Sequence, residues 1–313
     1  MSPTWAETAG HTSPGAVGHC GRLPFQDGPV CSAHPRYPMK KPLVVLFAVL
    51  GAASLSAQTR TLVKLWETEA TLKVPESVLY DAARGVLFIT NIDGEPWGDD
   101  GKGSIGKVGL DGKVIATDWV TGLSAPKGMG LHGDRLYVAD IDRVVVIDVE
   151  KGEIVDKIVV EGAHGLNDIA MGAGGAIYVS DSKDKKIHAI REGKASLVIE
   201  GLRAPNGVHV YDGQLHFADR GTLYRLDSNN DKVLVSVGKE GNGDGLESVG
   251  GDEFLISYWP GVIDLAKADG SREVLLDTTA AKINAADLGY DPARRIVYVP
   301  TFFKNTVVAY ELK

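Results

Sequence analysis

Six copies of a short phrase recur along the sequence, and four of them open on a residue that carries a side-chain oxygen acceptor. The clearest copy is PNGVHVYDGQLHFAD at residues 205–219. A polar residue opens a short apolar run, a turn follows, and a second apolar run ends at a polar residue. The opening residues of the six copies, 38 to 51 residues apart, are Glu76, Lys127, Asn167, Asn206, Asp244 and Ala286.

Carboxylate and amide oxygens in such a set are the ligands of hard divalent cations. Two carboxylates (Glu76 and Asp244) nearly neutralise the ion, and two amides (Asn167 and Asn206) add neutral oxygens. Ca²⁺ is expected first, with Mg²⁺ and Mn²⁺ as alternatives; Zn²⁺ is an option that a set without His or Cys does not call for. Turn capping is the alternative role of each position taken alone. Four such residues at six equivalent positions favour the metal site.

The repeat also defines the elements that position these residues. A period near 40 residues with two short apolar runs and a turn in each unit is typical of an all-β, six-bladed β-propeller with about four strands in each blade. In the clearest copy the strands are predicted at 208–210, 215–218, 222–226 and 233–237. Because every inner strand starts at the same face of the ring, the six opening residues are expected to surround one mouth of the central channel.

The two ends of the repeat array predict how the ring closes. Residues 61–69, TLVKLWETE, match the outer strand of a blade, and they precede the first copy. The chain stops after TVVAYELK, which matches a third strand. The N-terminal strand is therefore predicted to join the last blade, an arrangement that removes exposed sheet edges.

Three segments are expected along the chain. Residues 39–57 have the pattern of a signal peptide: a start Met, two lysines, an apolar run and small residues ending at Ala57. Residues 1–38 are interpreted as a mis-assigned or disordered leader, with a genuine N-terminal extension as the alternative. The propeller then occupies 58–313. This organisation predicts a periplasmic or secreted protein, which is expected to be a monomer. No membrane partner is expected after cleavage, because the apolar run is too short for a stable anchor.

Composition argues against several classes of function. The formal net charge is −8, and four of the 33 basic and two of the 41 acidic residues precede residue 58. The remainder is still more acidic, which argues against nucleic acid as a partner. Both cysteines, Cys20 and Cys31, precede residue 58, so the exported chain is expected to lack thiol chemistry.

Other side chains near the predicted mouth have two interpretations each. Aromatic residues there either wall a pocket or pack between blades: Trp97, Trp259 and Phe302. Aspartates at the ends of second strands are expected to cap turns: Asp140, Asp181 and Asp219. Aspartates one place after an opening residue are expected to bond to backbone or to support the ring: Asp168 and Asp287. His164, three places before Asn167, is the histidine retained as a site candidate.

Four short motifs on different repeats carry a resemblance to a known family: PES at 75–77, LND at 166–168, PNG at 205–207 and DGL at 244–246. They resemble the senescence marker protein/gluconolactonase/luciferin-regenerating-enzyme family, which includes regucalcin. The resemblance implies a six-bladed propeller with a divalent metal in its channel. Glu76, Asn206 and Asp244 would hold the metal, Asn167 would lie close by as a ligand or substrate contact, and Asp244 would be the general base.

The activity that this resemblance implies is hydrolysis of a small-molecule lactone or ester. The metal would polarise the carbonyl, and Asp244 would take a proton from the attacking water. Three features depart from the family pattern. Glu-Ser-Val at residues 76–78 stands where the family usually has Glu-Gly-Pro. Gly165 stands where gluconolactonases usually carry an arginine, and Lys127 adds a positive charge that either binds a substrate carboxylate or oxyanion or pairs with a ring carboxylate. The alternative function is a non-catalytic binding propeller with a structural Ca²⁺ site.

Overall fold

The computed structural model describes residues 60–239, 241 and 243–313. Within them the chain forms six antiparallel four-stranded sheets arranged as a ring, so the predicted six-bladed β-propeller is confirmed. The predicted leader and signal peptide, residues 1–57, lie outside the described residues. Across these ranges no helix has the length and apolar character needed to cross a membrane.

The first three blades each use four consecutive strands, ordered from the channel outward. Blade 1 contains β2 (Pro75–Asp81), β3 (Val86–Asn91), β4 (Gly103–Gly109) and β5 (Val114–Leu123). Blade 2 contains β6 (Pro126–His132), β7 (Arg135–Asp140), β8 (Arg143–Asp148) and β9 (Glu153–Val159). Blade 3 contains β10 (Leu166–Met171), β11 (Ile177–Asp181), β12 (Lys186–Arg191) and β13 (Lys194–Ile199).

The next two blades repeat this order, and the last differs in the origin of its outer strand. Blade 4 contains β14 (Pro205–Tyr211), β15 (Gln214–Asp219), β16 (Thr222–Leu226) and β17 (Lys232–Ser236). Blade 5 contains β18 (Gly243–Gly250), β19 (Glu253–Tyr258), β20 (Val262–Lys267) and β21 (Arg272–Asp277). Blade 6 contains β22 (Gly289–Asp291), β23 (Ile296–Pro300), β24 (Val307–Leu312) and β1 (Leu62–Glu67). Three 3₁₀ turns lie at Ala173–Gly175, Thr279–Ala281 and Phe302–Lys304.

Closure of the ring follows the prediction from the two chain ends. β1 pairs antiparallel with β24, from Leu62 opposite Leu312 to Glu67 opposite Val308. Thr61 and Lys313 exchange backbone hydrogen bonds of 3.2 and 3.0 Å just beyond this pairing. The closing strand therefore covers what would otherwise be an open edge of blade 6.

The apolar core is divided among the interfaces between neighbouring blades. Blades 1 and 2 share one cluster that includes Phe88 and Leu136, and blades 6 and 1 share another that includes Leu87 and Tyr298. Four further clusters fill the remaining interfaces. Each blade therefore buries both of its faces, which gives the ring the rigidity needed to fix side chains around its axis.

The closing strand allows a matched pair of stability measurements. Trp66 packs on Tyr298 with ring centroids 5.8 Å apart and donates a 3.1 Å hydrogen bond to the carbonyl of Leu110. Its neighbour Leu65 is 46% exposed and is skipped by the β1–β24 register as a bulge. We expect Trp66→Ala to lower the free energy of unfolding by about 2–4 kcal/mol, because it removes much of the contact between blades 6 and 1.

Leu65→Ala is the control, with an expected change below about 0.5 kcal/mol, since the side chain is largely in water. Urea titration of residues 58–313 measures both. Equal losses for the two variants would show that β1 does not close the ring through Trp66.

Candidate functional site

A repeated β-bulge places the opening residues in the channel. In five blades the pairing of the inner strand with the second strand slips directly at the opening residue. The backbone N–H that follows the opening residue is bound by a hydroxyl in three of them: Ser77 N–H donates to Thr90 Oγ1, Asp168 N–H to Ser180 Oγ and Gly245 N–H to Ser257 Oγ, over 2.8 to 3.0 Å. A bulge redirects side chains locally, and here it turns them towards the axis.

One cavity of about 260 Å³ at the channel mouth brings together all five residues that the sequence nominated for the site. It is lined by Glu76, Pro96, Trp97, Lys127, Asn167, Asn206, Asp244, Trp259 and Phe302. The sixth opening residue, Ala286, is fully buried with Ile92 and Ala125 and does not line the cavity. All three aromatic candidates therefore wall the pocket, and Phe302 also packs in the buried cluster with Ile92, Ala125 and Ala286.

Glu76 and Lys127 form a loose charged pair in this cavity. Both are almost completely buried, at 4% and 3% exposure, and Lys127 Nζ lies 3.8 Å from Glu76 Oε1. The same ammonium lies 4.4 Å from the ring centroid of Trp97 and therefore also makes a cation–π contact with this ring. Glu76 Oε2 is buried and has no hydrogen-bond partner among the described residues. A carboxylate oxygen in that position is expected to attract a ligand, because an unpartnered buried charge is costly.

The two amides of the ring use their NH₂ groups in the protein. Asn206 Nδ2 donates to Asp244 Oδ1 at 2.7 Å, and Asn167 Nδ2 donates to Ser182 Oγ at 3.1 Å. Ser182 Oγ in turn donates a hydrogen bond of 2.6 Å to the carbonyl oxygen of Pro205. Within the described part of the chain, no donor contacts the Oδ1 atom of either amide. The amide oxygens are therefore the atoms that remain for a bound group.

More carboxylates line the channel below the mouth. A small cavity of about 50 Å³ is bordered by Asp168, His209, Glu247 and Asp287 together with apolar side chains. Asp168 accepts hydrogen bonds of 2.7 Å from the N–H groups of Ile169 and Val208, and Asp287 accepts one of 2.5 Å from Ser77 Oγ. Asp168 bonds to backbone, as expected, and links blade 3 to blade 4 through Val208. Asp287 accepts from a side-chain hydroxyl instead and links blade 6 to blade 1.

Burial dominates the electrostatics of the channel. Removal from water raises the pKa of Asp244 to about 6 and that of Glu247 to about 8. The pKa of Glu76 is also raised well above its usual value by burial, although Lys127 opposes this shift. Burial lowers the pKa of Lys127, against the pull of Glu76 and Asp244. Lys127 is the one fully buried Lys or Arg of the described ranges, so negative charge is in excess.

The residues at the mouth fit a divalent cation. The cavity offers two carboxylates, one of them with an unpartnered oxygen, and two amide oxygens without donors, which together are the ligand chemistry of Ca²⁺. Among residues 60–239, 241 and 243–313 there is no group of three or more His, Cys, Asp or Glu side chains placed to hold a metal. A site here would therefore depend on the amides, and this donor set does not favour Zn²⁺.

Several predicted neighbours of the site have other roles, and two further residues, one in the channel and one exposed at its rim, have no sequence signal. His164 does not line the cavity; its side chain is 72% exposed and contacts Asp184 at 2.8 Å. Asp140, Asp181 and Asp219 cap turns by accepting backbone N–H groups, as expected. Glu247 and Lys183 were not identified from the sequence: Glu247 lies deeper in the channel, and Lys183 Nζ lies 4.6 Å from the centroid of Trp97.

Comparison with solved structures shows the fold. A streptogramin B lyase has 13% identity and a TM-score of 0.59 over 81% of this chain and 97% of its own. The virginiamycin B lyase of Staphylococcus aureus has 14% identity and a TM-score of 0.60 over 81% and 100%. A candidate gluconolactonase from a structural-genomics consortium has 16% identity and a TM-score of 0.61 over 81% and 92%. No protein-family model matches the chain, and no curated protein matches it significantly.

The raised carboxyl pKa values predict an unusual pH dependence for the cation-free protein. Burial raises the pKa of Glu247 to about 8 in the folded state, although 30% of its side chain is exposed, whereas in the unfolded chain this carboxyl ionises near pH 4. Its protonation therefore stabilises the fold at low pH, and this stabilisation is lost as pH rises through about 8. Between pH 7 and 8.5 the melting temperature in chelator should fall by several degrees. His209, whose Nδ1 lies 3.5 Å from Glu247 Oε2, does not titrate in this window, since burial lowers its pKa to about 4.

Glu247→Gln should remove much of this slope, because the amide does not titrate. Glu161→Gln, at an exposed position on an outer loop, is the matched control and should leave the slope unchanged. Melting curves of all three proteins at half-unit pH steps decide the matter. A flat profile for the parent protein, or flattening by both variants, would contradict the assignment to Glu247.

Proposed function

We propose that this protein is an exported, monomeric, divalent-cation-dependent hydrolase that opens a lactone or ester at the channel mouth. The observation that carries the proposal is the buried, unpartnered Oε2 of Glu76 beside Asp244 and two amides with free oxygens. A cation is the partner that this arrangement lacks. The shared fold of the candidate gluconolactonase supports the reaction class.

Each ring residue has a defined place in the proposed site. Glu76, Asn206 and Asp244 hold the cation, and Asn167 is the fourth oxygen ligand or a substrate contact. Ca²⁺ is the cation expected first, followed by Mg²⁺ or Mn²⁺, with Zn²⁺ as the least suited. When bound, the cation supplies Lewis-acid polarisation of the substrate carbonyl. Lys127 Nζ lies near both Glu76 and the face of Trp97, and the aromatic ring would offset part of the repulsion between the ammonium group and the cation.

Asp244 acts as the general base for the attacking water. Its Oδ1 is fixed by the hydrogen bond from Asn206, which leaves Oδ2 to accept the proton. Burial raises the pKa of Asp244 to about 6 in the cation-free protein, and a bound cation would lower it, so the carboxylate is ionised near neutral pH and can accept a proton. The water oxygen bonds to the carbonyl carbon, and Lys127 stabilises the oxygen that becomes negative. The carbon–oxygen bond of the lactone then breaks, and the departing alkoxide takes the proton from Asp244 to give the hydroxy acid.

A cation titration tests the site before any substrate is known. After chelation of residues 58–313, addition of one of Ca²⁺, Mg²⁺, Mn²⁺ or Zn²⁺ should raise the melting temperature, since a ligand at 100 times its Kd adds about 2.7 kcal/mol. Asp244→Asn should abolish this rise. Asp219→Asn is the matched control: Asp219 is a buried aspartate of blade 4 that caps backbone N–H groups outside the cavity, and its variant should keep the rise.

Turnover is then measured by proton release from a panel of lactones and esters under the effective cation. Asp244→Asn should lower kcat by about 10²–10⁴, as for loss of a general base. A cation-dependent rise without hydrolysis of any panel member would favour the binding propeller with a structural Ca²⁺ site. Absence of a rise with every cation would reject the metal site itself.

A further inference from the structure

We propose that the site is selective for small substrates that carry a carboxylate at one end and an apolar, ring-containing body at the other. The inference rests on the hydrolase function proposed above and specifies its substrate class. It assigns Lys183, a residue outside the metal ring, as the specificity-determining cation. Three features of the cavity support it.

The first feature is a pair of ammonium groups around one aromatic ring. Trp97 lies in the loop between β3 and β4, and its ring centroid is 4.4 Å from Lys127 Nζ and 4.6 Å from Lys183 Nζ. Both ammonium groups therefore lie close to one aromatic ring, and two like charges placed so near each other repel. Within the described ranges, no Asp or Glu oxygen lies within 4.0 Å of Lys183 Nζ. An anionic ligand group would relieve this repulsion.

The second feature is the path that brings Lys183 to the mouth. Its stem crosses the backbone at Gly165: a Cβ added there would lie 2.6 Å from Lys183 Cγ and 2.8 Å from its Cβ. A side chain at residue 165 would therefore force the lysine to move. Because Gly165 has no side chain, the exposed Lys183 of blade 3 can lie along the rim and reach Trp97 of blade 1.

The third feature is an aromatic wall on the other side of the cavity. Trp259 follows β19 of blade 5 and Phe302 follows β23 of blade 6; their rings lie 5.6 Å apart, edge to face. Phe302 has φ 51°, a strained value for a bulky residue. Hydrogen bonds of 2.8 to 3.1 Å between Thr301 and Thr306 hold that turn. Trp259 is 40% exposed, so its face is available to a ligand.

The order of the blades sets these two surfaces against each other. In a ring of six, blades 2 and 3 lie across the axis from blades 5 and 6. Lys127 and Lys183 belong to the former pair, and Trp259 and Phe302 to the latter. A ligand that spans the cavity meets positive charge at one end and aromatic rings at the other, with the proposed metal ligands below. A body of the size of a phenyl ring suits a cavity of about 260 Å³.

Calorimetric titration with two unreactive probes tests this selectivity on cation-loaded residues 58–313. The probes are 3-phenylpropanoate and its uncharged amide, 3-phenylpropanamide. We expect the carboxylate to bind at least tenfold more tightly than the amide, because charge-assisted contacts add about that factor. Lys183→Gln should weaken the carboxylate about tenfold and leave the amide unchanged. Lys185→Gln, in the same turn but without a contact to the Trp97 ring among the described residues, is the control and should change neither.

Trp259→Ala probes the opposite wall and should weaken both ligands by a similar factor. Equal binding of acid and amide, or an equal effect of Lys183→Gln on both, would overturn the carboxylate selectivity. No effect of Trp259→Ala would overturn the apolar half. These readouts need no turnover: selective binding without hydrolysis of any ester or lactone would reject the hydrolase function alone. If the protein hydrolyses esters or lactones but Lys183→Gln changes the rate equally for carboxylate-bearing and uncharged substrates, this inference alone would be rejected.

Discussion

Negative charge confined to a narrow channel is the constraint on which this molecule depends. Five carboxylates, those of Glu76, Asp168, Asp244, Glu247 and Asp287, border two small cavities along one axis. The single buried ammonium of the described ranges, on Lys127, cannot balance them. Three remedies are available: protonation, hydrogen bonds from the backbone or hydroxyls, and a bound cation. The channel uses the second for Asp168 and Asp287, and leaves Glu76 with an oxygen that hydrogen bonds do not satisfy.

The fold tolerates this charge because the bulges that direct it also satisfy the backbone. In three of the five bulged blades, the slip of register leaves an N–H group that the regular ladder does not bond. A hydroxyl on the neighbouring strand, such as Thr90 or Ser180, takes that donor. The apolar clusters between blades then prevent the bulged strands from relaxing to a regular pairing. Packing far from the axis therefore keeps the site residues close together at the mouth.

The sequence was sufficient for the architecture because its signals are local. Alternating runs, turn residues and the spare strand at 61–69 predicted six blades and their closure, and the strand limits in blade 4 differ from the prediction by three residues or fewer. The mouth residues were identifiable because equivalent strands begin at the same face.

What the sequence did not reveal depends on three-dimensional contacts. Glu247 borders the channel through the bulged start of β18, whose register slips between Gly243 and Leu246. Lys183 reaches the mouth only because Gly165, distant from it in sequence by 18 positions, has no side chain. His164 was placed near the site by its distance along the chain, but its ring turns outward to Asp184. The direction in which a side chain such as that of Lys183 or His164 points depends on its neighbours in space, and the periodicity of the sequence does not encode those neighbours.

The closing strand has a consequence for how the molecule is assembled. β1 is made early and pairs only with β24, through contacts such as the hydrogen bond between Thr306 and Glu67, 239 residues apart. Contacts of such separation form late, because the intervening chain must first be ordered. Until then the first strand has no partner and blade 1 lacks one neighbour. The ring can therefore close only when β24, the final strand, is available to pair with β1.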